Sequence, residues 1–420
     1  MKIRVGIGWW VLSLLTMMSV VIYAGEAEAV GSTIFGGRAG IIHPFLGVSE
    51  SYTDNMSNTD GDEESELVTV ISPGLTLALP GTGNTDVGFA GATRAPGGMS
   101  LSRPRLFSTR TWQALLTYNP EIVMYDDRSD EDFTAQRLTG AFKYCAPGGL
   151  TIDFADQYRY DQEMWGETGD DLEHAKFDDN VAHAIIDFVF SSKFSITAGG
   201  SYHTLAYKHD VNAFRDRDDQ TWSATLNYHL SPTTRVFCEY KQVDICYDED
   251  ISESRDSTED YIYAGIGWDM TAKSRGTCKV GYVDRDYDDS AKDDPSTWTA
   301  EINIGHSFTD RTGLDIGASR GYYESNITES DYYTSNRVSL TYNQFLTPKI
   351  AAHLLLSYEN DDYDEIDLEN DTYRVKPGIS FSPTGWLTFE LAYSYWDRSS
   401  DRDDWEFTTN EYTLSIQASF

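Results

Sequence analysis

The sequence has few basic residues and few cysteines. It contains 32 Lys and Arg against 68 Asp and Glu, which gives a formal net charge of -36. Because nucleic-acid binding needs clustered basic side chains against the phosphates, this balance excludes a nucleic-acid partner. The four cysteines form no C-x-x-C pair, so the spacing does not indicate a metal motif. Eight scattered histidines offer no catalytic constellation. We therefore expect no enzyme activity, no metal and no cofactor.

A long apolar run occurs only at the N-terminus. Lys2 and Arg4 precede the apolar residues 5–23, and Ala27-Glu28-Ala29 follows as a small-residue cleavage site. This order is typical of a secretory signal peptide, which we place at residues 1–29, with an uncleaved anchor as the alternative. No later run approaches the roughly 20 apolar residues of a membrane helix.

Aromatic residues are abundant, with 27 Tyr, 19 Phe and 10 Trp. They recur with a period of two, as in EYTLSIQASF at residues 411–420, where apolar and polar side chains alternate. Such alternation indicates β-strands with one apolar and one polar face. The same pattern predicts, for example, an eighth strand over residues 220–230. In the second strand, Pro73 and Gly74 predict a bulge.

The connections between these strands also alternate in kind. Tight turns such as Ser231-Pro232-Thr233 alternate with long acidic loops such as ENDDYDEIDLEND at residues 359–371. Short turns on one side and long loops on the other are typical of a transmembrane β-barrel. We predict an all-β antiparallel barrel of about 18 strands over residues 42–420, after a short periplasmic segment at residues 30–41. It would lie in the outer membrane of a Gram-negative bacterium, in contact with lipid and lipopolysaccharide.

The last strand carries a second prediction. Tyr412, Leu414, Ile416 and the final Phe420 share its apolar face. This pattern resembles the C-terminal signal that outer-membrane barrels present to the barrel assembly machinery. A chance C-terminal aromatic residue is the alternative.

Residues 80–110 interrupt the strand pattern with a Gly/Pro/Ser-rich insertion on the predicted periplasmic side. The insertion carries Arg94, Arg103, Arg105 and Arg110 against one acidic residue, Asp86. A disordered linker is one interpretation. A plug, or a docking arm for a periplasmic partner, is the other.

Strand parity sends a mixed set of charged and aromatic side chains into the barrel. The flat rings of the aromatic side chains could stack on sugars, or could simply fill the barrel and pack at its rim. The lumen-lining candidates are Arg137, Arg159, Lys241, Tyr261, Tyr263, Glu301, Arg337, Arg374, Lys376, Glu390 and Trp396.

Two stretches, GVSESYTDNM at residues 47–56 and ALLTYNPEIVMYDDRSDED at residues 114–132, resemble the putative beta-barrel porin family. The resemblance extends over residues 43–420. It implies an outer-membrane barrel that exports an exopolysaccharide and pairs with a periplasmic polysaccharide-export protein. A general diffusion porin and a structural or adhesive barrel with a plugged lumen are the alternatives.

Overall fold

The computed structural model describes residues 40–61, 63–82, 93–97, 111–163, 175–249, 252–268, 273–363 and 365–420. They form a single sheet of eighteen antiparallel strands that closes on itself through pairing of the first and last strands. The predicted fold class is therefore confirmed. The predicted signal peptide at residues 1–29 lies outside the described residues, as does all of residues 30–41 except the last two.

The strands are 12 to 17 residues long, enough to cross a bilayer at a tilt. They are β1 (Ile42–Thr53), β2 (Glu66–Leu79), β3 (Trp112–Tyr125), β4 (Phe133–Ala146), β5 (Leu150–Gln162), β6 (Lys176–Val189), β7 (Phe194–Tyr207), β8 (Arg217–Ser231), β9 (Thr234–Tyr247), β10 (Ser257–Trp268), β11 (Ser274–Tyr287), β12 (Ser296–Thr309), β13 (Thr312–Glu324), β14 (Tyr332–Thr347), β15 (Ile350–Tyr363), β16 (Leu368–Thr384), β17 (Leu387–Ser400) and β18 (Phe407–Ser419). Short 3₁₀ turns lie at Ser129–Glu131, Asp210–Arg215, Glu253–Arg255 and Asp403–Trp405. Among the described residues, no helix is long and apolar enough to span a membrane.

The two ends of the barrel differ in their connections. At one end, which we call the short-turn end, β8 and β9 are joined by only residues 232–233, and β12 and β13 by residues 310–311. At the other end, the long-loop end, residues 163–175, 208–216 and 248–256 join successive strands. The connection between β2 and β3, which contains the 80–110 insertion, leaves from the short-turn end.

Alternation along each strand separates an outer from an inner face. Ile262 and Trp222 are 65% and 63% exposed on the outer face. Tyr261 and Tyr263, the sequence neighbours of Ile262, are 4% and 1% exposed on the inner face. Apolar groups can face lipid at no cost, whereas the polar groups of the other face need partners inside the barrel.

The bulge predicted at Pro73 and Gly74 is wrong. The register between β2 and β3 is the same before and after this point, with Ile71 opposite Ile122 and Leu75 opposite Tyr118. The constant register brings Pro73 level with Pro120, and neither residue has an N–H to donate, so the ladder is interrupted without an inserted residue. The ring of Phe45 covers Gly74, where an added Cβ would come within 2.0 Å of it.

Closure of the barrel involves the C-terminal residue. The backbone N–H of Phe420 donates to the carbonyl oxygen of Pro44 at 3.0 Å. Its ring stacks on Trp386 with centroids 5.6 Å apart. Tyr412 and Leu414 are half-exposed on the outer face, on the strand that pairs with β1.

Candidate functional site: the barrel interior

A repeated contact anchors the long loops to the strands that precede them. In four loops an aspartate carboxylate accepts the backbone N–H of the tyrosine that ends the preceding strand. The pairs are Tyr125 with Asp132, Tyr207 with Asp216, Tyr247 with Asp256 and Tyr287 with Asp294, at 2.7 to 3.0 Å. All four tyrosine side chains are buried. The loop aspartates therefore fix the positions of aromatic rings inside the long-loop end.

In the loop after β5, Glu163 forms a buried ion pair with Arg215. The Arg215 guanidinium donates to both carboxylate oxygens, at 2.9 and 2.5 Å, and lies over the ring of Tyr207. Burial alone would raise the pKa of Glu163. The charge and hydrogen bonds of Arg215 outweigh burial and hold that pKa below its ordinary value.

A buried group of five charged side chains, the charge cluster, lies across the interior near the long-loop end. It comprises Arg217, Asp219, Glu259, Arg285 and Glu324, each with an exposed fraction of at most 2%. Arg285 donates to both oxygens of Glu324, at 2.8 and 3.1 Å, and lies 3.6 Å from Glu259. Because unpaired charges are costly in a low-dielectric interior, this arrangement holds the strands to one another only while every member keeps its partner.

His203 extends the charge cluster towards β6. Its Nδ1 lies 3.0 Å from Asp219, and its Nε2 lies 3.1 Å from Asp179. Arg159 and Arg217 pair with the same two carboxylates. The sequence reasoning missed His203, Asp179, Asp219 and Glu324 as interior residues. The strand parity of His203, Asp179 and Asp219 matches that of neighbouring inner-face residues, and this signal could have found them. Glu324 directly follows the inner-face residue Tyr323, so parity gives the wrong face for it.

Part of the 80–110 insertion lies inside the barrel against the charge cluster. The N–H of Gly97 donates to Asp219 Oδ2 at 2.9 Å. Arg217 donates to the carbonyl oxygen of Thr93 at 2.5 Å, and the N–H of Glu324 donates to the carbonyl oxygen of Arg94 at 2.8 Å. Residues 93–97, which we call the interior segment, are thus bound at the long-loop end although their connection leaves from the short-turn end.

A first cavity of about 490 Å³ lies beside the interior segment, with Ala95 and Pro96 on its wall. Five of the predicted lumen candidates line it, namely Lys241, Tyr261, Tyr263, Glu301 and Arg337. The Tyr261 and Tyr263 rings stack with centroids 5.8 Å apart. Charged, hydroxyl and aromatic groups therefore converge on one space.

A second cavity of about 420 Å³ lies against Thr93 and Arg94. It shares Arg337 with the first, and three further lumen candidates, Arg159, Arg374 and Trp396, line it. Arg374 lies over the Trp396 ring at 5.3 Å from its centroid. The interior segment thus contributes to the walls of two adjoining cavities.

The remaining candidates line neither of these two cavities. Arg137 lies near Glu121 and Asp161 at 3.8 and 3.4 Å and is partly exposed. Glu390 lies 3.9 Å from His353. Lys376 occupies the inner face of β16, opposite Leu355.

Only one of the four arginines of the insertion lies among the described residues. Arg94 lies in the interior segment, whereas Arg103, Arg105 and Arg110 lie outside the described residues. Within the described part of the chain, no group of three or more His, Cys, Asp or Glu side chains is placed to hold a metal ion.

Comparison with known proteins identifies the family. A family model described as "Putative beta-barrel porin 2" matches residues 115–420. This chain belongs to that family. The porin is a barrel of the outer-membrane type, and no curated protein matches its sequence.

Solved structures resemble the porin more distantly. OccK2 (OpdF) of Pseudomonas aeruginosa is 8% identical, with 90% of this chain and 97% of that chain covered and a TM-score of 0.46. A mutant ferric enterobactin receptor (PfeA) of Pseudomonas aeruginosa is 9% identical, with 92% and 81% covered and a TM-score of 0.45.

Proposed function

We propose that this porin exports a polysaccharide across the outer membrane and that the 80–110 insertion keeps it closed at rest. The supporting observation is the interior segment, which binds the charge cluster through Gly97, Thr93 and Arg94 and lies against two cavities lined by aromatic and charged groups. Flat tyrosine and tryptophan faces suit sugar rings, and weak repeated contacts suit passage.

A channel closed by its own chain needs a signal to open. The family resemblance suggests a periplasmic polysaccharide-export protein as that partner. The insertion leaves β2 at the short-turn end, which on the predicted orientation is the periplasmic end. A partner there could withdraw the interior segment without entering the barrel.

The test is single-channel conductance in a planar bilayer, with the intact protein and with residues 83–110 replaced by a short Gly-Ser turn. We expect low conductance from the intact protein and a large conductance from the variant, partly blocked by added oligosaccharides. A large steady conductance from the intact protein would favour a general diffusion porin. Absence of conductance from both proteins would favour a structural or adhesive barrel.

A further inference from the structure

The charges around the first cavity are unevenly paired. Glu301 lies 3.2 Å from Lys279, which it shares with Glu239, and Glu359 lies 2.7 Å from Arg337, so each carboxylate on the cavity wall is paired with a cation. Lys241 differs. Its ammonium lies over the Tyr261 ring, 3.7 Å from the centroid, and none of the described carboxylates lies within 4.0 Å of it.

The surroundings hold Lys241 and the tyrosine rings in place. Tyr261 donates its hydroxyl hydrogen to Glu259 at 2.6 Å, and the Tyr263 hydroxyl lies 3.2 Å from Thr299 Oγ1. Lys241 lies directly opposite Tyr261 in the ladder between β9 and β10. A cation fixed beside stacked rings is a prepared position for an anionic group on a ring-shaped ligand.

The cavity also offers neutral polar groups. Asn303, Ser319 and Ser357 lie on its wall. Their amide and hydroxyl groups can exchange hydrogen bonds with sugar hydroxyls. The volume of about 490 Å³ falls within the range of roughly 300–1,000 Å³ typical of small-molecule sites.

We propose that this cavity is a subsite for a carboxylate-bearing sugar unit, such as a uronic acid, whose carboxylate pairs with the Lys241 ammonium. The inference rests on the proposed function and names the substrate class. A single cation matches a singly charged carboxylate. A phosphate would call for further free cations. Of the other cations on the wall, Arg337 is paired with Glu359, and Arg320 bonds Asn336 and lies over the Trp298 ring.

The test compares a carboxylate-bearing trisaccharide, trigalacturonate, with a neutral one, maltotriose. Their binding to the full-length protein in detergent is measured by isothermal titration calorimetry. We expect wild type to bind trigalacturonate about tenfold more tightly, the usual effect of one charge-assisted hydrogen bond. Lys241→Met should bring the two affinities together, and Lys241→Arg should keep most of the preference. Lys376→Met is the matched control, because it removes a lumen lysine that lines neither cavity, and it should leave the ratio unchanged.

Three results would overturn the subsite. Equal affinity of the two trisaccharides for wild type would do so, and so would a preference that survives Lys241→Met. Either result leaves the proposed saccharide channel standing if oligosaccharides still block the conductance of the opened variant. Absence of binding by either trisaccharide, together with absence of block, would overturn both proposals.

Discussion

Glu324 accepts two hydrogen bonds from Arg285 inside the barrel, at 2.8 and 3.1 Å, and neither side chain has more than 1% of its surface exposed. The two residues belong to β11 and β13, which are not neighbours in the sheet. The contact therefore spans the intervening strand β12 and links β11 to β13. The backbone N–H of Glu324 also donates to the carbonyl oxygen of Arg94 in the interior segment.

Breaking this pair should destabilise the barrel. Glu324→Gln leaves the Arg285 charge buried with only Glu259 nearby, and we expect a loss of about 3 kcal/mol in the free energy of unfolding. Urea unfolding in lipid vesicles measures it. Glu121→Gln is the control, because its contact with Arg137 is long and partly exposed, and it should change stability by less than about 1 kcal/mol. Equal effects of the two substitutions would contradict the role of the charge cluster.

Gly97→Ala should release the interior segment. Gly97 has φ +74°, and an added Cβ would lie 2.3 Å from Thr221 Oγ1. The strained backbone alone costs about 1–2 kcal/mol, so we expect the open fraction in single-channel recordings to rise about tenfold or more.

Two further variants separate this clash from a general glycine effect. Gly61→Ala changes a glycine of similar φ, +95°, in a loop with nothing within 4 Å, and it should leave the conductance unchanged. Adding Thr221→Ala to Gly97→Ala removes the clashing oxygen and should restore part of the closed state. An unaltered conductance in Gly97→Ala would argue against closure by this segment.

The loop after β7 should loosen as the pH rises. Burial raises the pKa of Asp216 to about 6 from an ordinary value of 3.8. The folded state therefore binds this proton more tightly than the unfolded state, and the stabilisation is complete below pH 3.8 and lost as the pH rises through about 6. Hydrogen exchange of residues 208–216, corrected for intrinsic rates, should show protection falling by about tenfold from pH 4.5 to 7.5, after allowing for solvent screening.

Asp216→Asn should abolish this dependence on pH. Asp256→Asn is the control. It alters the equivalent carboxylate of the next long loop, which accepts the backbone N–H of Tyr247. The fall in protection of residues 208–216 with rising pH should remain in this variant. If protection of residues 208–216 still falls with rising pH in Asp216→Asn, another titrating group is responsible.

Removing the ring of Phe420 should impair assembly. Phe420→Ala loses the stacking on Trp386 at the seam between β1 and β18. We expect a smaller folded fraction in outer membranes, measured as the heat-modifiable band on a gel. Phe420→Tyr keeps the aromatic ring and should assemble normally. Normal assembly of Phe420→Ala would remove Phe420 from the predicted assembly signal.

The strands were predictable because alternation is a local property. The residues flanking Ile262 have opposite parity to it, so the sequence indicates one face for Ile262 and the other for Tyr261 and Tyr263. The eighth strand shows the limit of this reasoning. It begins at Arg217 rather than at residue 220, because the charges of Arg217 and Asp219 suggest a loop but are paired inside the barrel.

The placement of the insertion was not predictable. Its composition distinguishes residues 80–110 from the rest of the chain but fits a linker as well as a plug. Only the folded barrel brings Gly97 to Asp219, because these residues are far apart in sequence and meet through the curvature of the sheet.

The barrel could be predicted from local patterns alone, since period-two alternation and the two kinds of connection need no knowledge of distant residues. The sequence does not show which lumen charges are paired, as Lys241 and Lys279 illustrate. Both lie on inner faces of their strands, yet Lys279 is held between Glu239 and Glu301 at 3.3 and 3.2 Å, whereas Lys241 lies over Tyr261. The register of the neighbouring strands decides which side chains face each lysine. Closure of the whole sheet fixes that register, so only the tertiary structure separates a paired charge from a free one.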